Sequence, residues 1–244
     1  MALGSLNRTK TAGDLISEVG VEVGLNRVSD PFISNDPKYI QLIVILNLCG
    51  NELIDLYRWT RFQRRHALTT QDGVTNYNLP SDWNAMIDQT AWSSSSATPA
   101  TPISPQEWQY VTNNSQVPVI EVLIRERNGY LSVPTGTPAG IAINLEYESR
   151  GWVYRASTPN DLYDNATSSS DVVLHDPTLF SRYLKMKFLE AIGFDTQKAT
   201  DEFNLLLDIR TSKDKTAPIL NLGKGASYRK YIDDANIPET GFGS

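Results

Sequence analysis

One cysteine, two histidines and no long apolar run exclude much of the chemistry open to a chain of 244 residues. The single Cys49 rules out an internal disulfide and any zinc site built on several thiolates. His66 and His175 stand far apart in the sequence and each stands alone. A catalytic triad or a metal site would need them to converge with ligands from elsewhere. The longest apolar stretch, residues 42–49, already contains Asn47 and falls short of the ~18 residues a membrane helix needs, so no membrane partner is expected. Arg8 and Lys10 are followed by no apolar core, so no secretion signal is expected. A basic excess is lacking as well: 22 Lys and Arg against 28 Asp and Glu leave a net charge of -6. Strong DNA binding replaces counterions with Lys and Arg, and this chain is poorly made for that. An acidic surface suits a wall past which DNA slides without sticking.

What is present is globular. Hydrophobic residues make up 40% and charged residues 20% of the chain, enough for one substantial core or two small ones. Thr11 with Asp14 three residues on starts a first helix near residues 11–23 in the manner of a capping box, with Leu15, Val19 and Val23 on one stripe. Asp14, Glu18 and Glu22 stand at i, i+4 spacing and repel one another mildly. Asp36 followed by Pro37 gives an N-cap with Pro at the first helical position. Tyr39, Leu42, Leu46, Cys49, Leu53, Leu56 and Tyr57 then form one apolar stripe. Ile40, Val44, Ile45 and Leu48 extend it nearly around the first half of that helix, as expected for a bundle centre or a subunit contact. Asp176-Pro177 repeats the start signal for a third helix ending at Gly193, and Asp195 starts a fourth that carries Phe203, Leu206 and Leu207.

Between these helices the pattern is that of strands and turns. Asp72-Gly73 and Asn128-Gly129 are hairpin turn pairs. Ile141, Ile143, Leu145 and Tyr147 alternate with Ala142, Asn144 and Glu146 as in a half-buried strand. Residues 157–171 read as a polar loop. The expected fold is α+β: a four-helix bundle interrupted by an inserted antiparallel β domain, a small sandwich or barrel, with an extended C-terminal arm. The corresponding boundaries are residues 1–58 and 176–212 for the two helical parts, 59–175 for the β domain and 213–244 for the arm. The arm is rich in Gly and Pro yet keeps Tyr228, Tyr231, Ile232, Ile237 and Phe242. It either orders against a partner or folds back on its own core.

No residue group points to catalysis. Gly223-Lys224-Gly225 lacks the earlier Gly, the Ser/Thr and the strand-to-helix setting of a phosphate loop. Glu146 and Glu148 share a strand face, but one opposite the apolar residues. The cluster Arg58, Arg61, Arg64 and Arg65 can complement a helix C-terminus, a neighbouring subunit's acids or a DNA backbone. Trp83, Trp92, Trp108 and Trp152 read as core or interface anchors.

The segment of residues 79–109, LPSDWNAMIDQTAWSSSSATPATPISPQEWQ, carries a resemblance. Tyr77-Asn78-Leu79-Pro80-Ser81-Asp82-Trp83, then Met86-Ile87-Asp88, Thr90, Trp92 and Pro102, then Ser104-Pro105-Gln106-Glu107-Trp108-Gln109 resemble the head-to-tail adaptor proteins of tailed bacteriophages, the short-tailed ones above all. In that family a Y-x-L-P-x-D-(W/F) strand turn leads to an S-P-x-E-W segment. The order of helices, β domain, helices and arm matches over most of the chain. One departure stands out: Ser93 to Ser96 and Thr101-Pro102 replace a charged stretch and Gly-Pro.

The resemblance implies a non-enzymatic structural protein of the virion head-tail junction, made in the host bacterial cytoplasm, with no cofactor and no metal. It implies a homo-oligomeric ring, usually a dodecamer, docked beneath the portal protein. The ring would extend the channel for the passing genomic DNA without sequence-specific binding, and meet a tail or nozzle protein below. The residues expected at subunit or portal contacts are Ile40, Val44 and Ile45 of the second helix, Arg61, Arg64 and Arg65, and Tyr228, Arg229, Tyr231, Ile232, Ile237 and Phe242 of the arm. A carbohydrate- or receptor-binding β module of a tail component is the alternative, resting on the Trp-rich strands and on Glu146 and Glu148. A DNA-binding terminase-like or nuclease part fits the acidic balance least.

Overall fold

The structure, a computed structural model, describes residues 9–94, 98–113 and 122–214. Along the chain lie β1 (Lys10–Thr11), α1 (Ala12–Glu22), α2 (Pro37–Leu56), a short 3-10 turn (Thr60–Phe62), β2 (Gln63–Thr69), β3 (Asn76–Asn78), β4 (Trp83–Met86), β5 (Trp92–Ser93) and β6 (Thr98–Pro102). They are followed by α3 (Pro105–Asn113), β7 (Val122–Arg127), β8 (Tyr130–Ser132), β9 (Ala142–Ser149), β10 (Val153–Arg155), β11 (Thr158–Tyr163), β12 (Val172–Val173), α4 (Pro177–Ile192) and α5 (Gln197–Asp214). The described residues divide into two compact units: 9–64, 81–85 and 147–214 in one, and the described parts of 65–80 and 86–146 in the other.

The first unit is built from helices whose ends are set by local chemistry. Thr11 Oγ1 accepts from Asp14 N at 3.1 Å and caps α1. Asp36 Oδ1 accepts from Lys38 N at 2.9 Å and caps α2. Asp176 Oδ1 accepts from both Thr178 N and Leu179 N at 3.1 Å and caps α4. Each cap supplies an oxygen to amides that have no partner within the helix. Gly193 ends α4 at φ 80°, a conformation that favours glycine. The repulsion expected among the acids of α1 is relieved by cations: Lys10 meets Glu18, and Arg182 and Lys185 both meet Glu22 at 3.1 Å.

The helices do not make the expected four-helix bundle. Leu15, Ile16 and Val19 of α1, Leu42, Leu46 and Leu53 of α2, and Phe180, Leu184 and Phe188 of α4 are buried together with Trp152, Val153, Leu162 and Val173. Those last four belong to or flank a four-stranded sheet of order β1-β12-β10-β11, whose adjacent pairs are antiparallel. The core is therefore shared between helices and a sheet. α5 contributes only Phe203 to the fully buried set. Residues 158–163, expected within a polar loop, form β11 of this sheet. Among the described residues α2 is the one helix long and apolar enough, by length and composition, to cross a membrane, although Asn47 interrupts its longest apolar run. Its Tyr39, Leu42, Leu46, Cys49 and Leu53 are buried as a core helix's are.

The second unit is mainly β. Its sheet follows the strand order β2-β9-β5-β6-β7-β8-β3. The Asn128-Gly129 turn between β7 and β8 has φ of 52° and 79°, the primed geometry that matches strand twist. Asp72-Gly73 does not join paired strands, contrary to expectation. β3 pairs with β8, and Gly73 at φ 71° sits inside a turn closed by Val74 N donating to Gln71 O at 3.3 Å. The β region is also not purely antiparallel. β6 and β7 run parallel, with Ala100 opposite Val122, and such a pair needs a crossover. α3 lies within that crossover.

Candidate interaction surface

α2 has two apolar faces and only one of them is buried. Ile40, Val44 and Leu48 recur at every fourth residue, on one side of the helix, and are 51%, 65% and 50% exposed. Leu56 is exposed farther along. Ile45 is turned into the core, so of the three α2 residues expected at a contact, Ile40 and Val44 are on the exposed face and Ile45 is not. A row of exposed branched side chains costs solvation free energy that a partner surface would recover.

The arginine cluster is dispersed onto its own chain. Arg58 Nε lies 3.1 Å from Glu148 Oε1. Arg61 donates to the carbonyl of Leu174. Arg64 lies 3.0 Å from Asp82 Oδ2 and donates to Asn160 O at 2.5 Å. Arg65 is exposed. Tyr228, Arg229, Tyr231, Ile232, Ile237 and Phe242 lie outside the described residues.

The two short motifs have structural work. Asp82 is buried and gathers four groups. Tyr147 Oη donates to its Oδ1 at 2.9 Å, Ser149 Oγ donates to its Oδ2 at 2.7 Å, Arg64 supplies the countercharge, and its carbonyl accepts from Arg150 N at 2.8 Å. Trp83, beside it, stacks on Tyr147 at 4.7 Å. Burial and the neighbouring carboxylate push the Tyr147 hydroxyl pKa up, so it stays a donor. Tyr77 pins the preceding turn, accepting from Gln71 N at 2.8 Å and donating to Val74 O at 3.1 Å. In the second motif, Ser104 N donates to Glu107 Oε2 at 2.9 Å while Glu107 N donates to Ser104 Oγ at 3.2 Å. That reciprocal pair is a capping box, and the backbone bond from Ser104 lowers the Glu107 pKa. It starts α3, which the sequence reading placed within a β region. The S-x-x-E spacing was the signal that could have found it.

Trp152, one anchor of the alternative reading, is wholly buried. Its indole N–H reaches Asn51 Oδ1 at 2.9 Å and Asp164 O at 3.0 Å, and its ring lies 5.7 Å from Phe180. It is a core residue and offers no platform to a ligand. His175 is buried as well, 4.9 Å from the Phe62 ring and 5.4 Å from the Phe180 ring. Its Nε2 lies 3.0 Å from Gly50 O, which can only accept, so the ring carries its proton on Nε2. Burial holds the imidazole neutral, with a pKa lowered to about 3. Glu52 receives bonds from Tyr183 and from Lys187, the latter at 3.1 Å. Burial raises its pKa, but the bonds from Tyr183 and Lys187 outweigh it and keep it ionised. Among the described residues no three His, Cys, Asp or Glu side chains are grouped so as to hold a metal ion.

No curated protein matches the chain. A family model described as SU10 adaptor protein matches residues 10–220. That span includes the Asp82 hub, the Ser104–Glu107 cap and the exposed face of α2, and by it the chain belongs to the SU10 adaptor protein family.

Proposed function

We propose that this chain is a non-enzymatic adaptor of the head-tail junction in a short-tailed bacteriophage. It assembles as a homo-oligomeric ring, a dodecamer in this reading, that docks beneath the portal protein, lengthens the DNA channel and receives a tail or nozzle protein. Family membership supports a structural phage adaptor and a place among virion components. The observation that carries the ring is the exposed row of Ile40, Val44 and Leu48, and the occupant proposed for it is a second copy of this chain. The net charge of -6 favours passage of DNA over its capture. In this reading the helical parts of the chain contribute the contacts between copies.

Negative-stain microscopy of the purified chain, alone and mixed with its candidate portal, tests this. Rings of one fixed symmetry in either sample establish the assembly. Single particles in both samples, at concentrations where the chain is folded, overturn it.

A further inference from the structure

The outward face of the second unit's sheet carries a groove. β5 pairs with β9 so that Trp92 stands opposite Asn144. Residues two apart on a strand share a face, so Glu146 stands on the same side as Asn144, while Ile143 and Leu145 are buried on the other. Arg65, from the adjacent β2, completes the wall. The groove has a volume of about 380 Å³. Trp59, Trp83 and Trp152 are buried, whereas Trp92 is 36% exposed.

From this placement we infer that the groove lined by Trp92, Asn144, Glu146 and Arg65 binds a neutral saccharide. A pyranose has one face of C–H groups and a rim of hydroxyls. An exposed indole takes the first by apolar contact. An amide, a carboxylate and a guanidinium take the second, because together they offer acceptors and fixed donors in planar, paired arrangements. The charges of Arg65 and Glu146 cancel across the groove, which removes the field that would select a polyanion such as DNA. The walls are preorganised: Trp92 and Asn144 are a cross-strand pair. The Thr90 hydroxyl accepts from Glu146 N at 3.0 Å and donates to Ile87 O at 2.7 Å, tying the loop before β5 to β9. Preorganised walls lower the ordering cost of a weak ligand. An open groove on a sheet face also suits one or two units of a longer glycan chain.

The test is titration of the full chain with maltohexaose, cellohexaose and chitohexaose, with a polysulfated oligosaccharide as the charged control. Binding is read by calorimetry and by the indole N–H resonance of Trp92. The expected result is saturable binding of at least one neutral hexamer, weakened tenfold or more in Trp92→Ala and separately in Asn144→Ala, both with wild-type melting. No binding of any neutral hexamer up to about 10 mM, a range that covers weak sugar sites, overturns the inference. Binding that survives both substitutions overturns it too, as does tighter binding of the polysulfated control. If Trp92→Ala instead changes the oligomeric state and leaves sugar titrations flat, the face is a contact between copies.

Discussion

The Tyr147 hydroxyl donates to Asp82 Oδ1 at 2.9 Å, and through this bond the D-W motif is joined to the end of β9. Asp82 also holds Ser149 and Arg64. Replacing it, Asp82→Ala, leaves two hydroxyls and a part-buried guanidinium without their acceptor. Removing one partner of a buried ion pair is more damaging than the pair itself is stabilising. The expected loss is about 3 kcal/mol, read as a fall in the urea midpoint at pH 7. Tyr147→Phe removes one bond and keeps the ring stacked on Trp83, so it should cost about 1 kcal/mol.

Helix starts were legible in the sequence because caps are short-range chemistry. Asp36 and Asp176 each serve amides two or three residues away, so three residues of sequence suffice. The alternation along β9 was legible for the same reason. Strand partnership was not. Tyr77 pairs with Leu131, and nothing local distinguishes that partner from the nearer residues across Asp72-Gly73. The assignment of β10–β12 to the helical unit was equally hidden, because it depends on Trp152 and Val153 entering a core made elsewhere in the chain. Trp152 itself was a candidate platform by composition, and burial settled it as core. At α2 both faces are apolar, so periodicity could identify the surplus but placed Ile45 on the wrong side.

Gly50 shows how tightly that core is closed. A Cβ at this position would stand 2.1 Å from Trp152 Cε2, with two more ring atoms within 2.5 Å. The indole is held at its N–H by Asn51 and by Asp164 O, so it cannot swing aside without breaking both bonds. Gly50→Ala should raise helix propensity by about 1 kcal/mol yet destabilise overall by about 2 kcal/mol through overpacking. A loss of near-ultraviolet circular dichroism from the tryptophans should accompany the lower melting temperature. An unchanged or higher melting temperature would show that the helix and ring can separate freely.

His175 makes the fold acid-sensitive. Its pKa falls from 6.5 to about 3 on burial, so above pH 6.5 it is neutral in both folded and unfolded chains and adds no slope. Below 6.5 the unfolded chain takes up a proton that the folded chain refuses. Stability is then lost at about 1.4 kcal/mol per pH unit until the folded-state pKa is reached. His175→Phe removes this contribution while keeping an aromatic ring between Phe62 and Phe180. It should cost about 1 kcal/mol at pH 7 through the lost bond to Gly50 O, and the gap to wild type should close or reverse by pH 5. Parallel urea titrations at pH 7, 6 and 5 measure this; equal slopes for both proteins would exclude a buried neutral His175.

Ser104 and Glu107 set the start of a helix with no buried residue, so α3 depends on its cap more than on packing. Ser104→Ala removes the acceptor for Glu107 N, with an expected local cost of about 1 kcal/mol. Because α3 adds nothing to the buried core, the global melting temperature should scarcely move. Amide hydrogen exchange over residues 105–113 should accelerate about fivefold, the factor that matches such a cost under local opening. A global loss of stability instead would mean that the parallel pairing of β6 with β7 is held by α3.

Two substitutions on α2 separate folding from assembly. Leu46 is fully buried and Val44 is 65% exposed, although they lie two residues apart. Leu46→Asp puts an unpaired charge among Leu42, Tyr39 and the α4 side chains, and should unfold the chain or cost several kcal/mol. Val44→Asp puts the same charge in water. It should leave the unfolding free energy of the monomer within about 0.5 kcal/mol of wild type, the range of ordinary surface changes. If the exposed face of α2 is where copies meet, Val44→Asp particles remain single under conditions where wild-type chains form rings, because the interface would have to bury the carboxylate. Intact rings from Val44→Asp would free this face from the assembly and move the search for the contact to the exposed side of α5.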